Sequence, residues 1–505
     1  MTAVEQRIES EQVEDAGQRR RVAALIGTLV AGAFVMILNE TVMGVALPAV
    51  MEDFGVTAAA GQWLTTIFML TMAIVIPMTG FLLQRFSARA IFIAALVLFT
   101  IGTGIAAFAP AFWVLLVARV AQASGTAVMM PLLTTTILSS VAPERRGRMM
   151  GLMAIVISVA PALGPPLSGF VITLAGWRAV FLVVLPIAVL VLVVGAALIR
   201  GGTAPGSGRF DILSVLLSTA AFGGLLFGLG SIGEAASGHG SGLLPVVAIA
   251  IGALALALFV WRQLRLQRTD AAMLDLRTFT YRPFWVGIVL LLVAMASLFG
   301  ALILLPLYLQ NVRGLAPLDT GLVTLPGALL MGIAAPFIGA LFDRVGPRPL
   351  VIPGSVVLSS GLLLLALVSD ATPIWGIVLA HVTLSAGLAL MMTPLMTSAL
   401  GSLPPRLYSH GSATTSTLQQ FAGALGTAVF VTIMSVGAAD AASAGLDPVA
   451  AQGQGIHLAF VAGAVASLLA IVIACFVRRP AEPVAATEAA APSAVEPAAS
   501  TDRRG

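Results

Sequence analysis

Stretches of about twenty mostly apolar residues, the length a helix needs to cross a bilayer, recur fourteen times along this chain. They cover 22–48, 61–83, 90–108, 112–140, 150–173, 178–199, 212–230, 243–264, 284–309, 320–342, 349–368, 374–400, 412–436 and 456–477. In hydrocarbon every backbone N–H and C=O must find its partner within the protein, so spanning segments of this kind are helices. The expected fold class is therefore all-α, embedded in the membrane. Composition points the same way. Only 10% of the residues are charged and 59% are hydrophobic, against about 25% charged in a soluble domain. The catalytic readings of soluble folds drop away, and an enzyme is not expected.

A net charge of +4 and an isoelectric point near 10.1 would suggest nucleic acid in a soluble protein. Here the positive charge is all arginine, and it sits in short loops. One set of loops carries Arg85, Arg89, Arg145, Arg146, Arg148, Arg200, Arg209, Arg262, Arg265, Arg268, Arg277, Arg282, Arg344, Arg348 and Arg406. The opposite set carries only Arg178 and Arg313, with acids such as Glu52, Asp53, Glu234, Asp370, Asp440 and Asp447. The positive-inside rule places the first set, and with it both termini, in the cytoplasm. Met1 to Arg21 lacks an apolar core, so it reads as a cytoplasmic tail rather than a signal peptide. The single cysteine, Cys475, permits no intrachain disulfide. With no lysine in the chain a phosphate-binding loop ending in Gly-Lys is impossible. No cluster has metal-ligand spacing, so neither metal nor other cofactor is expected.

One charge breaks the pattern. Glu40 lies inside the first apolar segment, in Leu38-Asn39-Glu40-Thr41, and no other acid lies so deep in a span. A charge at the bilayer centre costs at least about 2.5–3.5 kcal/mol on insertion scales, which makes such a residue a functional candidate. A carboxyl group taken out of water favours its neutral form, so this group can take up a proton on one side and release it on the other. The bland alternative is a neutral acid that bonds to a neighbouring helix. Asn39 and Thr41 flank it and are placed to orient it or simply to pack.

Two loops repeat. Pro77-Met-Thr-Gly80-Phe-Leu82-Leu-Gln84-Arg85-Phe-Ser87-Ala-Arg89 aligns with Pro336-Phe-Ile-Gly339-Ala-Leu341-Phe-Asp343-Arg344-Val-Gly346-Pro-Arg348, an offset of 339 − 80 = 259 residues. The copies follow spans 2 and 10. That implies two six-span units with two extra spans between them, and repeated halves around a midplane site are a transporter architecture. The expected divisions are a tail (1–21), a first bundle (22–199), two accessory spans with a linker (200–283), a second bundle (284–477) and a disordered tail (478–505).

The second copy, Gly-x-x-x-Asp-Arg-x-Gly-x-Arg, resembles the signature loop of the major facilitator superfamily. Arg119-Val-Ala-Gln122-Ala-Ser-Gly125 resembles that superfamily's span-4 motif, and Pro161-Ala-Leu-Gly164-Pro165-Pro166-Leu-Ser-Gly169 its span-5 antiporter motif. Leu38 to Thr41 with Ala46-Leu47-Pro48 resembles the span-1 motif of the fourteen-span drug:proton antiporters. The sequence departs at Gln84, where the pattern has Asp, and at Ser87, where it has Gly. Its span-1 acid stands one residue later than in many relatives, about 100° further round the helix.

The resemblance implies a multi-pass protein of the bacterial plasma membrane, monomeric, exporting lipophilic and often cationic compounds against inward-moving protons. It implies proton coupling at Glu40, with Arg119 as a fixed charge beside it or else as a structural ion pair or carbonyl clamp. His381, inside span 12, titrates in a range that suits a relay; the simpler reading is packing or a hydrogen bond. The wall of the substrate cavity is sought at Asn39, Thr41, Trp63, Phe68, Gln122, Gln419 and Gln420. Pro161, Gly164, Pro165 and Gly169 have a conformational role. Gly80, Arg85, Arg89, Gly339, Asp343, Arg344 and Arg348 lie at the cytoplasmic mouth. There Asp343 is expected to cap the following helix and pair with Arg, closing that side, with a weaker lock at Gln84. The simpler reading of these arginines is topology alone. Two other functions remain open: export of a single metabolite, antibiotic or lipid, and a non-transporting scaffold or sensor.

Overall fold

Segments this apolar cover their own polar backbone by helix hydrogen bonds and leave leucine and valine side chains to face lipid. That is what the chain does in its computed structural model, which describes residues 3–56, 58–199, 211–236, 242–369 and 371–477. The proposed tail 478–505, Arg200, Arg209 and Asp370 lie outside the described residues. Among the described residues fourteen α-helices run in order. The first six are α1 (Ala3–Phe54), α2 (Ala58–Arg85), α3 (Ala88–Ala107), α4 (Phe112–Ser140), α5 (Arg146–Ala175) and α6 (Trp177–Leu198). Two follow, α7 (Ile212–Ala236) and α8 (Leu243–Leu266). The last six are α9 (Arg282–Leu307), α10 (Pro317–Val345), α11 (Arg348–Ala366), α12 (Ile374–Gly401), α13 (Tyr408–Ser443) and α14 (Pro448–Ala474). The polar stretch before Val22 continues α1 back to Ala3.

Thirteen of these helices are long and apolar enough to cross a membrane as single pieces. The other is α5, which with the short turn before it runs as two segments, Pro143–Pro161 and Pro166–Ala175, that meet at 43°. Pro161 and Pro166, which flank the break, explain the bend, because proline removes a ladder donor and its ring crowds the preceding turn.

Within the first six helices α3 packs on α4 and α6, and α1 on α5 and α6; within the last six α11 packs on α12 and α14, and α9 on α12 and α13. The two groups meet along α5–α10 and α2–α13. Helices α7 and α8 pack on each other, and α7 also lies against both α2 and α13, over the seam between the groups. Leu190, Val193, Leu254, Leu468 and Leu469 are exposed on the outer faces of α6, α8 and α14, where lipid would cover them.

The two repeated loops differ in backbone for a reason visible in the sequence. Gly346 ends α10 at φ 80°, a conformation that favours glycine. Ser87, at the equivalent position, has φ −65° and instead starts α3, its Oγ accepting from Ala90 N at 3.2 Å. The two arginines on the arginine-poor side are both engaged. Arg178 bridges to Asp53 at 2.6 Å and donates to Ala109 O at 3.1 Å; Arg313 donates to Thr372 O at 2.9 Å.

Candidate functional site: a half-buried acid, a buried cation and two contacts between the halves

Glu40 stands near the middle of the apolar part of α1, Val22–Phe54. It is half-buried and has no hydrogen-bond or ion-pair partner among the described residues. The charge that acts on it is Arg119 of α4. Arg119 is fully buried, at 1% exposure. Its Nε donates to Leu64 O at 3.3 Å and its Nη1 to Gln122 Oε1 at 3.1 Å. Its guanidinium carbon lies 4.0 Å from the centroid of the Phe68 ring, a cation–π arrangement. Gln122 Nε2 in turn donates to Thr103 Oγ1 at 3.1 Å, and Thr103 Oγ1 to Phe99 O at 2.8 Å. The cation is therefore held by α2, α3 and α4 together.

A buried cation without a bonded carboxylate is costly. Glu40 is the acid positioned to offset it. Protonating Glu40 removes that compensation, and low surrounding polarity magnifies the change.

Asn39 and Thr41 read as orienting Glu40 or simply packing, and neither side chain hydrogen-bonds Glu40 among the described residues. The Thr41 hydroxyl donates to Leu38 O at 2.9 Å. Asn39 is completely buried, and both its amide atoms lack a partner. Thr41 instead meets the span-5 motif. A Cβ added at Gly164 would lie 2.0 Å from Thr41 Oγ1, and Ser168 Oγ donates to Val42 O at 3.3 Å. The motif is thus pressed against the residues on either side of Glu40. Gly169 has open space about it, Pro161 is half-buried, and the side chain of Pro165 lies outside the described set.

The other cavity candidates are dispersed. Phe68, 1% exposed, lies under Arg119, and Gln122 is spent on Arg119 and Thr103. Trp63 stacks on Phe227 of α7, with centroids 6.5 Å apart. Gln420 Nε2 reaches Met72 Sδ of α2 at 3.9 Å, across the seam, and Gln419 Nε2 reaches Met396 Sδ of α12 at 3.9 Å. His381 is packed between α10 and α12, where a Cβ on Gly327 would lie 2.6 Å from its ring; its Nδ1 is buried without a partner. No hydrogen bond or ion pair joins it to Glu40 or Arg119 among the described residues.

At the arginine-rich end two contacts join the halves. In the first, Asp343 accepts from Gly147 N at 2.8 Å and from Arg148 N at 3.0 Å. It therefore caps α5 in the other half, and not the following helix α11, which is flanked by Pro347. Nor does Asp343 form an ion pair with Arg among the described residues. The reason is backbone proximity. A Cβ on Gly147 would lie 2.4 Å from Gly339 O, and one on Gly339 would lie 2.1 Å from Gly147 O. Beside this contact a cleft of about 610 Å³ is lined by Glu144, Arg145, Arg148, Asp343 and Arg344. Arg348 is exposed. In the second contact Gln84 Nε2 lies 2.7 Å from His410 Nε2, so the neutral residue of the first loop has a partner of its own. Arg89 donates to Ala196 O at 3.0 Å, tying this loop to α6.

Gly147 and His410 were not singled out from the sequence. The signal for Gly147 was its own small size in the first turn of α5, shortly after Pro143. His410, at the start of α13, resembles an ordinary polar residue at the edge of a span.

With this geometry in view, known proteins add the family. The family described as Major Facilitator Superfamily matches residues 29–427. Among similar proteins, the uncharacterized MFS-type transporter YcnB of Bacillus subtilis (strain 168) is 41% identical over 91% of this chain and 96% of its own length. The lincomycin resistance protein LmrB of Listeria monocytogenes is 39% identical over 93% and 99%. A multidrug resistance protein B homolog of Mycobacterium tuberculosis is 32% identical over 81% and 75%. The crystal structure of the human organic anion transporter MFSD10 shares the fold, with a TM-score of 0.60 at 14% identity, over 90% of this chain and 99% of that one. The chain belongs to the Major Facilitator Superfamily and is a multi-pass membrane transporter of small molecules, not an enzyme.

Proposed function

We propose that the protein is a proton-coupled antiporter that exports lipophilic, often cationic drugs or toxic small molecules from the cytoplasm by alternating access. The observation that carries the reading is Glu40: an acid within a membrane span, with no bonded partner among the described residues, facing the charge of Arg119 and packed beside the span-5 motif. Relatives named for lincomycin and multidrug resistance support an export role. On this reading Glu40 binds a proton when the site opens outward and releases it inward, and the drug occupies the site when the proton has left. A potential of 100 mV contributes about 2.3 kcal/mol per charge moved. The arginine-rich end, gated by the contacts of Asp343 and Gln84, is assigned to the cytoplasm with both termini, and the protein to the bacterial plasma membrane as a monomer.

The test is proton-driven uptake of a fluorescent cationic dye into inverted membrane vesicles, native chain against Glu40→Gln. Uptake by the native chain and none by the variant, at equal amount, is expected. Equal uptake would refute the role of Glu40 and move the search to His381. Because some relatives are named for resistance to one drug, a narrower exporter is the second reading. Native failure across several dyes, with resistance to a single compound class, would favour it.

A further inference from the structure

The gate at α2–α13 does not stand alone. His410 is 5% exposed, and both its ring nitrogens are engaged: Nε2 with Gln84 Nε2 at 2.7 Å and Nδ1 with Met273 O at 3.2 Å. A carbonyl only accepts and an amide nitrogen only donates, so these partners select the neutral tautomer with its hydrogen on Nδ1. Met273 belongs to the segment between α8 and α9, and that segment is itself held from α8. Gln263 Oε1 accepts from Met273 N at 2.8 Å and from Leu274 N at 3.2 Å, while Gln263 Nε2 donates to Ser214 Oγ of α7 at 2.7 Å. Ser214 Oγ donates to Asp211 at 2.5 Å, and Asp211 is bridged to Arg262 at 2.7 Å. An unbroken chain of bonds thus runs from α7 and α8 through the linker and α13 to α2.

Apolar packing follows the same route. Phe259, Met273, Leu274 and Ala413 form one buried cluster, with Met78, Phe81 and Val215 against it. It joins α2, α7, α8, the linker and α13 at the gate. The linker is stiffened from within, since Arg277 pairs with both Asp270 and buried Asp275. At Gly80 an added Cβ would lie 3.1 Å from Met273 O and 3.2 Å from His410 Nδ1, so α2 sits directly on this junction.

We propose that the accessory helices α7 and α8, with the linker after them, form a clamp that holds the α2–α13 gate shut, and that His410 is the positioning residue through which the clamp acts. The clamp supplies to the first half what Asp343 supplies to the second, by a neutral bond anchored from outside the two bundles. The inference rests on the alternating-access reading above.

The test is amide hydrogen exchange on the full chain in lipid nanodiscs, with and without a transported dye, in the native protein, His410→Asn, Gln263→Ala and the milder Ser214→Ala. Asparagine at 410 can still bond Met273 O but cannot reach Gln84. Gln263 and Ser214 touch neither α2 nor α13 in the bond chain, so an effect there reports coupling rather than local damage. The expected result is exchange about three- to tenfold faster over Phe81–Arg85 and Tyr408–Ala413 in each variant, the scale of one lost hydrogen bond or two. Exchange over Gly147–Gly151, at the other gate, stays unchanged. Dye transport should change in maximal rate and not in KM. If Gln263→Ala and Ser214→Ala speed exchange only in the linker, or speed both gates alike, the clamp is overturned. If exchange in the native chain ignores the dye at both gates, the alternating-access reading fails instead.

Discussion

Asp343→Asn is the sharpest test of the α5–α10 gate. The native carboxylate accepts two backbone N–H groups, from Gly147 at 2.8 Å and Arg148 at 3.0 Å, at the start of α5. Asparagine keeps one acceptor oxygen and turns an NH2 toward the second N–H, so one bond is lost and the other loses its charge. A hydrogen bond to a charged group contributes about 1.5–3 kcal/mol, and an anion at a helix N-terminus about 0.3–1 kcal/mol. Asp343 is half-buried, so the lower part of the combined range applies. The expected loss is about 2–3 kcal/mol, roughly 30- to 150-fold in the ratio of closed to open gate. The reporter is a cysteine at Ala335, which is 1% exposed and faces Gly151 across the same contact. It is introduced with Cys475→Ser, which leaves it the only thiol in the chain. Maleimide labelling of this cysteine should be slow with Asp343 in place and faster by one to two orders of magnitude in the Asp343→Asn variant. Equal labelling rates in two folded proteins would refute the lock. So would fast labelling with Asp343 intact, because the gate would then not be closed.

Gly164→Ala should drive α1 and α5 apart, since the new Cβ would lie 2.0 Å from Thr41 Oγ1. Overpacking of this kind costs about 1–3 kcal/mol, read as a lower Tm in detergent, with partial recovery on adding Thr41→Ala. Arg119→Lys keeps the charge but loses the planar group that bonds Leu64 O and Gln122 while lying on Phe68; dye transport should fall at least tenfold at unchanged expression, and native rates would refute the positioning role. The hydrogen bond from Arg262, with a further one from Ser214, holds the Asp211 carboxyl below its usual range. A depressed acid stabilises fully at neutral pH and loses that contribution as pH falls through its folded pKa. Amide protection of the α7–α8 pair should therefore be flat from pH 6 to 8 and fall only in the acid range, and Asp211→Asn should remove that fall.

What the sequence disclosed and what it withheld divide along a physical line. Spans are legible because twenty apolar residues have one stable state in a bilayer, and α5 is the span that needs two pieces because its prolines and glycines break the run. Glu40 and Arg119 are legible because charge is rare at that depth. Gln122 proves to share a face with Arg119, as i, i+3 spacing requires. Partners across the halves are not legible in the same way. Asp343 bonds backbone N–H groups, which every residue but proline carries, so nothing in the local pattern distinguishes α5 from α11 as its target. The clue lay in pairing two glycines, Gly147 and Gly339, more than 190 residues apart, whose missing Cβ atoms let the backbones touch. Gln84 is the instructive case. Read as a missing charge, it predicts a weak gate; in the fold it meets an imidazole whose Nε2 accepts, whereas an aspartate would need a hydrogen on Nε2 and could leave Met273 O bonded only if the ring were protonated. The substitution therefore makes sense only together with His410 and the linker behind it. On the proposal made here the two gates of this transporter are held by different chemistry: one by an acid on a helix end, the other by a neutral bond fixed from the accessory helices. A change that weakens one should leave the other in place.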